Sequence, residues 1–136
     1  MGGKFITFEG GEGGGKSTQV KLLAEAFAHA KLTCLVTREP GGTPGAERIR
    51  QLLVSGEGDS WLPASETLLF YAARIEHVGR KIKPALKAGT HVLCDRFADS
   101  TLGYQGAGKG WPEELIETLH ELILGDFAPD LTFILD

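Results

Sequence analysis

A single stretch near the start of the chain, Gly10-Gly11-Glu12-Gly13-Gly14-Gly15-Lys16-Ser17, narrows the possible folds more than anything else in it. It fits the pattern G-x-x-x-x-G-K-[ST], and its surroundings give that pattern physical meaning. Before it runs Lys4-Phe5-Ile6-Thr7-Phe8-Glu9, short and rich in β-branched and aromatic residues, as a buried first strand is. After it, Val20, Leu23, Ala24 and Phe27 fall on one helical face. Glycines let the backbone take positive φ, so that successive N–H groups can ring a polyphosphate at the positive end of the following helix. Lys16 supplies a point charge for the terminal phosphates, and the Ser17 hydroxyl suits Mg²⁺. A flexible glycine linker is the competing explanation, but linkers are rarely framed by an apolar strand and an amphipathic helix. The loop reads as a nucleoside triphosphate site.

A chain of 136 residues is one domain by size, with enough material for a core. Hydrophobic residues at 42% and charged residues at 24% are ordinary for a soluble globular protein. The net charge of −4 argues against a dedicated nucleic-acid or anionic-membrane surface. No apolar run approaches the roughly 20 residues that span a bilayer, and Met1-Gly2-Gly3-Lys4 leads into a strand with no visible signal peptide. Cys34 and Cys94 lie inside apolar, strand-like runs without metal-ligand spacing, which fits buried thiols in a reducing cytoplasm.

Further along, Leu32 to Thr37 predicts a second strand, followed by a polar loop from Arg38 to Gly45 and a short helix from Ala46 to Val54 carrying Ile49, Leu52 and Leu53. Ser55 to Ser60 is a surface loop by composition. From Ser65 the helical pattern is long, with Leu68, Leu69, Ala72, Ile75 and Val78 at intervals of three and four. Pro84 should break it, kink it or start a second short helix, and Gly89 should end it. A third strand, Thr90 to Cys94, leads to Asp95-Arg96, then to a loop or short helix through Tyr104-Gln105-Gly106. Pro112 opens a helix with Leu115, Ile116, Leu119, Leu122 and Ile123 in phase, and Leu131 to Leu135 is a fourth strand. Alternating strand and helix predicts a three-layer α/β domain around a parallel sheet. Ligands in such sheets bind beyond the C-terminal strand ends, where the glycine loop, the Arg38 loop and Asp95-Arg96 should converge.

Several side chains could serve a second substrate. Phe70 and Arg74 are four apart on the long helix. The aromatic could stack on a flat base and the guanidinium donate to its edge, or Phe70 could be core and Arg74 a solvated charge. Arg96 at a strand end suits a bidentate grip on phosphate, or an ion pair with Asp95 or Glu39. Glu12 would repel a polyphosphate unless a metal or a sugar hydroxyl intervenes, or else it is an exposed loop carboxylate.

The ordered set Glu9 to Thr18, Thr37-Arg38-Glu39-Pro40-Gly41-Gly42-Thr43, Phe70-Tyr71-Ala72-Ala73-Arg74, Asp95-Arg96-Phe97, Ser100-Thr101 and Tyr104-Gln105-Gly106 resembles bacterial thymidylate kinases over essentially the whole chain. The resemblance implies a P-loop NTPase-like fold of the nucleoside monophosphate kinase type and the reaction ATP + dTMP → ADP + dTDP, within dTTP biosynthesis. It implies an ATP-binding set of Gly10, Gly11, Glu12, Gly13, Gly14, Gly15, Lys16, Ser17 and Thr18, with Mg²⁺ at Ser17. By the same resemblance Phe70 stacks on thymine and Arg74 bonds the base edge. Asp95 and Arg96 lie with Lys16 at the transfer centre, Arg96 holding the acceptor phosphate. Glu12 meets the deoxyribose 3′-hydroxyl, Thr101 and Gln105 line the thymine pocket, Tyr104 crowds the 2′ position, and Arg38 is a further substrate-loop arginine. The resemblance also implies a cytoplasmic homodimer acting on small molecules, with the Ser65 to Val78 helix as the candidate dimer element.

Members of that family continue past the fourth strand into a lid and C-terminal helices, and with glycine at Gly13 and Gly14 the lid is expected to supply transfer-site arginines. Ending at Asp136, the sequence reads as a single incomplete kinase domain lacking lid and C-terminal helices, so transfer by this length of chain is in question. Two other functions fit the residues: a kinase of another nucleoside monophosphate, and a non-catalytic P-loop nucleotide-binding module.

Overall fold

The computed structural model describes residues 2–10, 15–54, 61–97 and 112–135. Strands form where β-branched and aromatic residues cluster: β1 (Phe5–Gly10), β2 (Cys34–Arg38), β3 (His91–Asp95) and β4 (Leu131–Leu135). They make one sheet in the order β2-β3-β1-β4, and every neighbouring pair is parallel. Among the described residues, the helices between them are α1 (Lys16–His29), α2 (Pro44–Val54), α3 (Pro63–His77), α4 (Lys83–Lys87) and α5 (Glu113–Leu124).

Period-two alternation divides the inner strands between two cores. Ile6 and Phe8 of β1 and Leu93 of β3 pack with Val20, Leu23, Ala24 and Phe27 of α1. Phe5 of β1, with Val92 and Cys94 of β3, faces the other way, toward Val78, Ile82, Leu86, Leu124 and Phe127. The sheet is covered on both sides, the three-layer arrangement that the alternating pattern predicts. Phe97, just past β3, sits edge-on to Phe5 with ring centroids 5.0 Å apart, and Phe127 stacks on Phe5 at 5.4 Å. Burying each such ring contributes roughly 1.5–3 kcal/mol, so this trio fixes the segment that leaves β3.

The long helical stretch departs from expectation in two ways. After α3 the chain makes a π-helical turn, Val78–Ile82, in which the Lys83 N–H donates to the Val78 carbonyl. Pro84 lies in the first turn of α4, so the fresh start is the outcome found among those the proline allowed. Proline has no N–H and its ring crowds the carbonyl four residues back; a widened turn ahead of it lets the path continue. The second departure concerns faces. Leu68 and Ile75, two members of the apolar stripe, are exposed, while Thr67, Tyr71, Ala73, Arg74 and His77 are buried. The inward face is held by ion pairs rather than by hydrocarbon alone. In α5, likewise, Ile116 is buried but Leu115 and Leu122 are exposed. Residues 55–60, read as a surface loop, and 98–111, which include the stretch read as a loop or short helix, lie outside the described residues.

Candidate active site

Register decides what meets at the strand ends. Arg38 of β2 pairs with Asp95 of β3, Asp95 with Phe8 of β1, and Gly10 of β1 with Leu135 of β4. The three sheet neighbours β2, β3 and β1 therefore end together, and the chain segments that follow them emerge on one edge, as the open-sheet rule requires. Gly15 caps α1 at φ 80°, a left-handed conformation that glycine adopts at no cost. Lys16 then turns inward: it is 7% exposed, and its Nζ lies 2.9 Å from Asp95 Oδ1. Ser17, Arg38 and Asp95 line the same open cleft of about 550 Å³, with Thr37, Gly42 and Glu47.

Lys16, Ser17, Asp95 and Arg38 are thus brought together. Arg96 follows Asp95 with φ 72°, a left-handed conformation that costs a non-glycine residue on the order of 1–3 kcal/mol. Its backbone N–H donates to the Phe8 carbonyl at 2.8 Å and its carbonyl accepts from the Cys94 thiol at 3.2 Å. Those bonds hold the turn that lets Arg96 leave the sheet at the ligand edge. Gly10 ends β1, and Thr18 is exposed on the first turn of α1. Gly11, Glu12, Gly13, Gly14, Thr101, Tyr104 and Gln105 lie outside the described residues.

Behind this edge is a buried polar cluster. Arg74 is 2% exposed, so it is not a solvated charge. Its Nε donates to Glu39 Oε1 at 2.6 Å, and its guanidinium carbon lies 5.0 Å from the Tyr71 ring centroid and 4.7 Å from that of Phe97. Burial opposes the charge on Arg74, but the Glu39 carboxylate and then Tyr71 outweigh it, holding the guanidinium above the ordinary arginine range. Glu39 Oε2 is bonded by His77 Nδ1 at 2.8 Å, and His77 Nε2 bonds the Thr37 hydroxyl at 2.7 Å. A carboxylate oxygen accepts only, so Nδ1 carries the hydrogen. The Tyr71 hydroxyl meets His120 Nδ1 at 3.2 Å, and burial raises the Tyr71 pKa. Phe70, the proposed stacking ring, is half-buried.

The loop after β2 is tied to α2. The Gly42 N–H donates to Glu47 Oε2 at 2.7 Å, Arg38 reaches Glu47 Oε1 at 3.1 Å, and Arg50 donates to the Pro40 carbonyl at 2.9 Å. The Glu39–Pro40 peptide is cis. The Gly42 amide holds the Glu47 carboxyl below its usual range; burial opposes it, and Arg38 and then Arg50 add to the lowering. Cys94 is buried, as expected, and Cys34 only half-buried; burial pushes both thiols up, Cys94 well up. Sequence reasoning missed Glu39, His77, Glu47 and Arg50 as site-shaping residues. The helical spacing of Arg74 and His77, three apart, was the available signal, but charged residues at such spacing ordinarily mark a solvent face. For a metal, the Ser17 hydroxyl and the Asp95 carboxylate are among the oxygens that line the cleft, with those of Thr37 and Glu47, and they are hard donors of the kind Mg²⁺ takes.

Residues 8–136 match the family model described as thymidylate kinase. Thymidylate kinase of Caulobacter vibrioides is 58% identical over 134 residues, covering 98% of this chain and 64% of the relative. That of Bradyrhizobium diazoefficiens is also 58% identical, over 98% of this chain and 59% of the relative. The chain therefore spans about three fifths of the length of these curated relatives. Among solved structures, thymidylate kinase from Ehrlichia chaffeensis superposes with a TM-score of 0.90 at 46% identity, covering 100% of this chain and 77% of that one. The fold, the P-loop setting and the residue-level identity agree, and the chain belongs to the thymidylate kinase family.

Proposed function

We propose that the protein transfers the γ-phosphate of ATP to dTMP, giving ADP and dTDP. The observation that carries this reading is the Lys16–Asp95 contact at the sheet's ligand edge, beside Ser17 and Arg38, in a chain of this family. The acceptor is a phosphate oxygen, already anionic near neutral pH, so positioning and charge neutralisation do most of the work and no strong base is needed. Lys16 and the loop amides from Gly10 to Thr18 hold the donor phosphates. Arg96 and Arg38 draw the acceptor phosphate in, which lets two anions approach in line. Phe70 stacks on the thymine, Arg74 bonds its edge, and Thr101 and Gln105 complete the pocket. Glu12 takes the 3′-hydroxyl and Tyr104 excludes a 2′-hydroxyl. Mg²⁺, held through Ser17 with Asp95 nearby, would neutralise charge on the donor phosphates.

Acidic and basic side chains are paired at this edge, Lys16 with Asp95 and Arg38 with Glu47, which supports reading the cleft as a site for charged substrates. The same reading makes the protein a cytoplasmic homodimer without nucleic-acid or membrane partners; no helix among the described residues is long and apolar enough to cross a membrane. The test is ADP release with dTMP, dUMP, CMP, AMP and GMP as acceptors. We expect dTMP to be strongly preferred, and Lys16→Ala to lower turnover by on the order of 10³-fold. Equal rates across the panel, or near-normal turnover of Lys16→Ala, would overturn the assignment.

A further inference from the structure

We propose that His77 is a positioning residue for pyrimidine recognition: it clamps Glu39 from the side opposite Arg74 and so fixes where the Arg74 guanidinium faces. The inference rests on the base-edge role proposed above for Arg74.

The geometry is a chain of four buried side chains from β2, the loop after it and α3. Thr37 is the last residue but one of β2, Glu39 lies just past the strand in the loop, and Arg74 and His77 lie three apart on α3. The contacts run Thr37 Oγ1 to His77 Nε2 at 2.7 Å, His77 Nδ1 to Glu39 Oε2 at 2.8 Å, and Glu39 Oε1 to Arg74 Nε at 2.6 Å. Each Glu39 oxygen thus takes a different donor, and the carboxylate cannot rotate without breaking one bond. With Nε committed to Glu39 and the guanidinium between the Tyr71 and Phe97 rings, Arg74 has one orientation rather than several. Its guanidinium plane is therefore set from behind, by His77 acting through Glu39.

Two further observations argue that the imidazole is built in for this purpose. His77 is 0% exposed, and a Cβ on Gly42 would stand 2.3 Å from His77 Cδ2, so the substrate loop is moulded onto the ring. The Glu39 N–H also donates to the Asp95 carbonyl at 2.9 Å. One residue thereby ties the base-side arginine to the strand end that carries the transfer residues.

The experiment uses the protein as its gene encodes it and reads dTMP and ATP affinity by titration calorimetry, with thermal melts to confirm folding. His77→Asn keeps a donor near the Nδ1 position, while His77→Gln reaches only toward Thr37 and His77→Leu keeps neither. Loss of a buried hydrogen bond to a charged group should weaken dTMP binding about tenfold in His77→Leu and His77→Gln. His77→Asn should stay within about threefold of the parent, and ATP affinity should hold within about twofold in all three variants. In an Arg74→Ala background, His77→Leu should cost no more than about a further twofold, because the group it orients is gone. Multiplicative losses in the double variant, or Gln retaining affinity while Asn loses it, would show that His77 does not act through Glu39 and Arg74. An Arg74→Ala variant with parental dTMP affinity would instead remove the base-edge reading beneath the inference.

Discussion

Glu39 is the residue on which the buried side of the site turns. It is 5% exposed and bonds Arg74 and His77 at once, with the Arg74 charge shielded from water by the rings of Tyr71 and Phe97. Replacing a buried ion pair by hydrocarbon can be neutral, but removing one partner leaves the other charge buried and uncompensated. Glu39→Ala should therefore lower unfolding stability by about 3–5 kcal/mol, measured by urea denaturation monitored by circular dichroism. A loss below about 1 kcal/mol would mean that water enters the cluster and that Arg74 is less confined than its packing indicates. Little of this was legible in the sequence. Arg74 and His77 sit at helical spacing, and by composition alone such residues belong to a solvated face. Only the fold shows that Glu39, 35 residues before Arg74, arrives to neutralise them.

At the level of elements, strands were easier to read than helix faces. Each strand's apolar, β-branched character is local, so the four strands of the sheet are found within two residues of their expected bounds. The face of α3 depends on what packs against it, and the polar cluster overrides the leucine and isoleucine periodicity. The Arg38–Gly42 loop is held to α2 by Glu47, a link that makes a pH prediction. The Gly42 amide, then Arg38, lower the Glu47 pKa in the folded protein relative to its unfolded value. A lowered carboxylate contributes stability that is complete above the unfolded pKa, near pH 4, and is lost as pH falls through the folded pKa below it. Glu47→Gln should leave the loop's thermal stability less dependent on pH below about 4.5, while the parent loses stability steadily across that range. The comparison is a set of melts from pH 6 down to pH 3. Parallel curves for the two proteins would rule out a loop latched by the Glu47 charge.

For the molecule as a whole, the P-loop and the alternation of elements already placed the ligand edge, because a parallel α/β sheet has only one end where successive loops can converge. What the alternation cannot say is which apolar surface is left for a partner. Leu68 and Ile75 of α3, seven residues apart and hence on one side of the helix, are 54% and 47% exposed, while the opposite side of α3 carries the Arg74 cluster. A helix whose inner face is filled with ion pairs and whose outer face keeps a leucine and an isoleucine suits packing against its counterpart in a second copy, since a two-fold axis brings the same residues together. This supports the homodimer proposed above, with an interface on the side of α3 away from Arg74. Leu68→Glu with Ile75→Glu would set like charges against each other across such an axis. Sedimentation velocity should then show the parent as a dimer and the double variant as a monomer, with its circular dichroism spectrum unchanged. Because the two sides of α3 are separate, dTMP affinity per chain should fall by no more than a few-fold. A parent that sediments as a monomer, or a double variant that remains dimeric, would mean that these side chains serve no interface between copies and that another surface must be sought.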